Sequence, residues 1–145
     1  MTTELVNAFG NVYLTISPDS QNQWVLATWQ GYSTQEAIKK GISAYTEALQ
    51  DAGYSDILID TRAMVGSWNH SLDWVLEHWV PQAAAAGLQH YALVVKPETF
   101  AEAAADIFYE HVTAFEAEIF ADMATARAWL RKQRLLQNMA QLQST

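Results

Sequence analysis

The chain is 145 residues long and half apolar, with no cysteine and a formal net charge of −8 from 16 acidic against 8 basic residues. That length suits one domain with a core of its own. The missing cysteines exclude disulfides, thiolate metal sites, iron–sulfur clusters and thiol nucleophiles, and fit a reducing, cytoplasmic compartment. The acidic balance disfavours nucleic acid and anionic lipid as partners; Met1 to Asn11 carries no leader pattern, and no stretch approaches the roughly 18 apolar residues of a membrane span.

Val12, Leu14 and Ile16 alternate with Tyr13 and Thr15, and residues 24–29 form a second β-prone run. The turn formers from Ser17 to Asn22 between them predict an antiparallel hairpin. Ser33 followed by Glu36 reads as a capping box opening a helix with Ile38, Ile42, Tyr45 and Leu49 on one face, ended by Gly53. Ile57-Leu58-Ile59, running into Asp60, is the continuous apolar run of a strand covered on both faces, so it is placed centrally.

After a loop from Thr61 to Asn69, Leu72, Leu76, Trp79 and Ala83 mark a helix ending at Gly87, with Pro81 predicting a kink or break near Val80. Tyr91 to Val95 is the next strand, and Pro97 introduces a helix whose stripe is Phe100, Ala104, Ile107 and His111. Glu118 to Phe120 is a short last strand. Asp122 caps a final helix through Ala126, Trp129 and Leu130, continuing through Leu135, Leu136, Met139 and Leu142, with the tail after Gln137 expected to be extended or frayed. The predicted fold is thus α/β, one domain over residues 1–145: a mixed five-stranded sheet, an N-terminal antiparallel hairpin followed by parallel strands in strand–helix units, with about four helices.

The layout resembles the STAS, or SpoIIAA-like, superfamily of anti-anti-sigma-factor-like domains, related in fold to SEC14-type lipid-exchange domains. The resemblance rests on Asp56-Ile57-Leu58-Ile59-Asp60-Thr61-Arg62, on Trp74 and Pro81, on the strand Ala92 to Val95, and on Ile119-Phe120-Ala121-Asp122 leading to Ala126-Arg127-Ala128-Trp129-Leu130. It covers most of the chain. It implies a small bacterial protein with a regulatory style of function rather than a reaction. In regulatory members a serine at the start of the helix after the central strand is phosphorylated. Here that place holds Trp68-Asn69-His70, with Ser67 and Ser71 only near it, so the role is carried over to neither serine.

No phosphate loop, nucleophile elbow, paired-histidine zinc motif or dinucleotide fingerprint occurs, which argues against the usual enzyme classes, and no cofactor is implied. The candidate site is the loop leaving the central strand, with Asp60, Arg62, Trp68, Asn69 and His70 as ligand- or partner-binding residues, because open α/β sheets bind beyond the carboxyl ends of their parallel strands. The structural alternative is that Asp60 and Arg62 pair to fix the loop while Ser67 or Asn69 caps the helix. Trp68 is expected at the surface, Trp74 and Trp79 in the core. His70, His78, His90 and His111 lie on different elements, so no metal site is expected.

All acids lie at or before Asp122, whereas Arg127, Arg131, Lys132 and Arg134 cluster on the last helix. They either complement the helix dipole on a solvated face or form a contact patch. The distal part of that helix either folds back on its own sheet or pairs with a second copy in a homodimer. Three functions remain. The first is a non-catalytic regulatory module contacting a protein partner, and the second is a carrier of a small apolar ligand between sheet and helices. The third is a small hydrolase or transferase using Asp60 and His70, which requires the two side chains to reach a common point.

Overall fold

A computed structural model describes residues 1–143. One sheet carries six strands in chain order: β1 (Thr3–Val6), β2 (Val12–Asp19), β3 (Trp24–Gly31), β4 (Asp56–Met64), β5 (His90–Val94) and β6 (Glu116–Phe120). β1 to β3 are antiparallel neighbours, and β3 to β6 run parallel. The sheet therefore has one strand more than the five expected. β1 pairs Thr3 with Ile16 and Leu5 with Leu14, but only Leu5 of its four residues is partly buried, so no apolar alternation announces it.

Because the parallel strands follow one another without a reversal, crossovers of one hand lay their helices on one face. That face holds α1 (Gln35–Ala52), the segment from Asn69 to Ala85, and α4 (Phe100–His111), packed over Ile57, Ile59, Tyr91 and Leu93. The opposite face exposes Trp24, Leu58, Ala92 and Val94, which α5 (Met123–Gln143) covers with Ala126 and Leu130. Period-two alternation along β4 sends Ile57 and Ile59 to the first face and Leu58 to the second, which is why the sequence there is apolar without a break.

Helix α1 starts one residue later than the Ser33 cap predicted: the Thr34 hydroxyl accepts from the Ala37 N–H at 3.1 Å, while the Ser33 hydroxyl is buried with no partner. Its end is as expected, at Gly53 in the left-handed region (φ 73°), whose N–H returns to the helix carbonyls. The segment around Pro81 is built in pieces: a 3-10 turn (Asn69–Ser71), α2 (Leu72–Trp74), a π-helical turn (Val75–Trp79) and α3 (Val80–Ala85). Pro81 has no N–H to close an α-helical bond, and the widened turn before it, closed by the Val80 N–H on the Val75 carbonyl, sets Val75, Trp79 and Val80 all against the core.

One further expectation is corrected. On α4 the buried row is Ala101, Ala104, Ala105 and Phe108, whereas Phe100, Ile107 and His111 face outward. The first face is already filled by Tyr91, Trp68 and Phe115, with Tyr91 and Phe108 ring centroids 5.3 Å apart, so the helix approaches on alanines. α5 runs to Gln143, and Asp122 caps it as expected by accepting from the Thr125 N–H at 2.8 Å.

Candidate functional site

The loop from Asp60 to Ser71 is shorter than expected, because β4 continues to Met64. Asp60 and Arg62 are strand residues. They form a bidentate pair, Arg62 Nε and Nη2 each donating to the Asp60 carboxylate at 3.0 Å, and the Arg62 N–H adds a third bond to the same group. The carboxylate holds the Arg62 guanidinium above its ordinary pKa through that hydrogen bond first, with a further push from the Asp122 charge. Asp60 lies two residues beyond Leu58 and shares its face of the sheet, the one α5 covers.

His70 sits on the other side. Its Nε2 reaches the Ser33 carbonyl at 3.1 Å and its Nδ1 the Ser71 hydroxyl at 2.8 Å. A carbonyl only accepts, so Nε2 carries the proton and, in the neutral ring, Nδ1 accepts from Ser71. His70 thereby ties the β4 exit to the start of α1, and its ring lies 6.2 Å from that of Tyr32. Asp60 and His70 are thus brought to opposite faces and committed to other partners. The common point that acid–base chemistry by these two residues requires is absent, which counts against the hydrolase or transferase reading.

Trp68, expected at the surface, is buried; its ring meets Phe108 edge-on at 6.1 Å and fixes the loop to α4. The Ser67 hydroxyl accepts from the Asn69 N–H at 3.0 Å, leaving the Asn69 side chain exposed. Ser71 is fully buried against His70, closed to a modifying enzyme. Of the five sequence-derived residues, Arg62, Asn69 and His70 present polar groups at the surface, Asp60 holds Arg62, and Trp68 holds the backbone.

Sequence reasoning missed the apolar rim around them. The β1–β2 turn and the loops after β3, β4 and β5 all lie at the end of the sheet where the parallel strands finish, since Val12 is near the end of β3 and Val65 N–H bonds the Gly31 carbonyl. Phe9, Tyr32 and Val65, from the turn and the loops after β3 and β4, and Phe100, the first residue of α4, are between 58 % and 89 % exposed. A groove of about 440 Å³ runs between Val6, Phe9, Tyr32 and Lys40, and Tyr32 lies against Gly66. A second groove, of about 420 Å³, runs between Met64, Gly66, Glu98 and Phe100. Strand order never reverses within the parallel part, so the crevice of a topological switch point does not exist here and the end of the sheet is a broad rim.

Between sheet and helices lies a half-open space of about 30 Å³ lined by Trp29, Tyr45, Trp68, Trp79 and Tyr91. Ligand sites of small molecules are roughly 300–1,000 Å³, so this space takes a water-sized group and the carrier reading gains nothing from it. Two polar side chains nearby are satisfied internally: Trp79 Nε1 donates to the Thr46 hydroxyl, and the Thr61 hydroxyl donates to the Val94 carbonyl.

At the far end of the sheet, His90 Nδ1 lies 2.7 Å from the Asp56 carboxylate, both side chains being nearly buried. The His90 ring meets Trp129 of α5 edge-on at 5.9 Å. Asp56 and His90 are the opposed first residues of β4 and β5, a register no local pattern reveals. That hydrogen bond raises the His90 pKa against the opposing effect of burial, with the Asp56 and Glu116 charges adding to it.

Among the described residues no helix is long and apolar enough to cross a membrane. Comparison with curated proteins finds no match. The family model described as SpoIIAA-like matches residues 25–131, which take in everything from β3 to the middle of α5. The chain belongs to the SpoIIAA-like family.

Proposed function

We propose that this protein is a non-catalytic regulatory module of the cytoplasm that works by binding another protein on the rim where its parallel strands end. The observation that carries the reading is the set of four large apolar side chains, Phe9, Tyr32, Val65 and Phe100, exposed at the end of the sheet where the parallel strands finish, with one groove between Phe9 and Tyr32 and another beside Phe100. Such a patch, rimmed by the polar groups of Arg62, Asn69 and His70, has the make-up of a protein contact: aromatic anchors within a polar border. The family supports a fold used in regulation, and the separate partners of Asp60 and His70 speak against the two acting as a catalytic pair.

The test compares the unaltered chain with a Tyr32→Ala, Val65→Asp, Phe100→Asp variant as affinity bait in cells of its own source, with co-purifying proteins quantified. A protein partner held by the unaltered chain and reduced at least about tenfold by the variant, whose melting temperature stays near the parent's, is the expected result. Equal recovery with both baits removes the rim from consideration. A lipid or metabolite retained in place of a protein moves the function to that of a carrier.

A further inference from the structure

The net charge of −8 is not spread evenly. On the first face of the sheet, α4 holds Glu102, Asp106 and Glu110 and the segment from Asn69 to Ala85 holds Asp73 and Glu77, with no Lys or Arg in either. α5, on the second face, holds Arg127, Arg131, Lys132 and Arg134 and no acid from Met123 to Gln143. The acidic helices and the basic one are separated by the thickness of the sheet, about 20 Å at about 10 Å per packed layer. That is more than twice the Debye length of about 8 Å at physiological ionic strength, so a surface in front of α5 feels mainly its cations.

At about 100° per residue, Ala124, Ala128, Leu135 and Met139 form one row on the side of α5 turned away from the core-facing Ala126 and Leu130. All four are exposed, Leu135 at 60 % and Met139 at 48 %. Arg131 and Lys132, also exposed, stand about 50° to either side of that row. Neither has a carboxylate at contact distance, since among the described residues the ion pairs are Arg62–Asp60 and His90–Asp56. Arg131 and Arg134 bond the neutral Asn22 through its side-chain and backbone oxygens, and Asp19 feels the Arg131 charge at longer range.

We propose that this outward side of α5 docks on an anionic lipid surface, the helix lying in the plane of the headgroups with Leu135 and Met139 reaching below them and Arg131 and Lys132 against phosphates on either side. An apolar row flanked by cations on long apolar stems is the pattern of an interfacial helix. A second copy is a poorer occupant, because two such helices face to face gather the cations of both with no acid between them. An acidic protein segment answers the cations but not the exposed Leu135 and Met139 between them. With few cations and a short apolar row, the attachment is reversible and salt-sensitive. It leaves the rim at the end of the sheet open to its partner.

Flotation of the full chain tests this, with vesicles of phosphatidylglycerol and phosphatidylcholine in equal parts and with phosphatidylcholine alone. It is run at about 0.05 M salt and again at about 0.5 M, where the Debye length shrinks about threefold. Binding to the anionic vesicles in low salt, at least about tenfold weaker in high salt or on phosphatidylcholine alone, is expected. Arg131→Glu with Lys132→Glu should weaken it at least about tenfold, and so should Leu135→Gln with Met139→Gln, whose side chains lie outside the core. No binding to the anionic vesicles, equal binding to the neutral ones, or binding indifferent to either variant overturns the proposal. So does capture of the chain by soluble polyglutamate without vesicle binding, which assigns the face to an acidic protein. If the charge variant fails to fold, the Leu135 and Met139 variant and the lipid comparison decide. The rim variant above leaves α5 untouched and should float like the parent, so the two proposals fail separately.

Discussion

His90 and Asp56 form the one nearly buried ion pair among the described residues, and it joins the start of two central strands to the Trp129 ring of α5. The raised pKa of His90 fixes the sign of its pH dependence. Its contribution is fully present below the unfolded histidine value of about 6.5 and is lost as pH climbs through the higher folded value. A thermal melt should therefore fall across that window, and His90→Gln should flatten the fall. His90→Ala should cost about 3–5 kcal/mol, since it leaves the Asp56 carboxylate buried and alone. A melt in His90→Gln with the parent's pH slope would show that another group titrates. At the same scale, Trp68 shows where residue-type reasoning stops: an aromatic in a predicted loop reads as exposed, but its fate is decided by Phe108, 40 positions away in the chain.

Among the elements, α1 approaches the sheet closely at Gly41. A Cβ at Gly41 would lie 2.5 Å from the Trp29 ring and 2.7 Å from a Leu14 methyl, both buried in the core. Helix propensity alone favours alanine there by about 1 kcal/mol, but overpacking costs about 1–3 kcal/mol and a buried indole has nowhere to turn. Gly41→Ala is thus expected to be destabilising on balance in urea titration, and a higher midpoint would mean that α1 slides freely. Most elements were legible because burial imposes a period: β2, β4, α1 and the first half of α5 each carry apolar residues where the packing needs them. α4 was legible as a helix and misread in its facing. Its core row is three alanines and Phe108, a weaker apolar signal than the outward Phe100 and Ile107. In the candidate site the extent of the loop was the part not legible: β4 extends four residues into it, so Asp60 is held on the α5 side of the sheet while His70, in the turn beyond, bonds the Ser33 carbonyl before α1.

For the whole molecule, the second face of the sheet depends on a single helix. Ala126 and Leu130 are fully buried over Trp24, Leu58, Ala92 and Val94, and among the described residues the cluster on this face draws its helical members from α5 alone. A chain stopped after Asp122 keeps all six strands but leaves that face bare, a contiguous apolar surface of the kind that drives association. Such a chain is expected to bind an apolar dye and to aggregate, whereas a chain stopped after Arg134 retains both anchors and should remain soluble. A soluble, cooperatively melting product of the shorter truncation would mean that the face is covered in some other way.

Strand order that follows chain order also sets a sequence of events during synthesis. Each strand emerging from the ribosome finds its neighbour already in place, so the sheet can grow from β1 outward without waiting for distant segments. α5 follows β6. Its target, assembled in full by the time β6 has emerged, stays uncovered until Ala126 and Leu130 in the first turns of α5 have followed, so the sheet is most open to association in that interval.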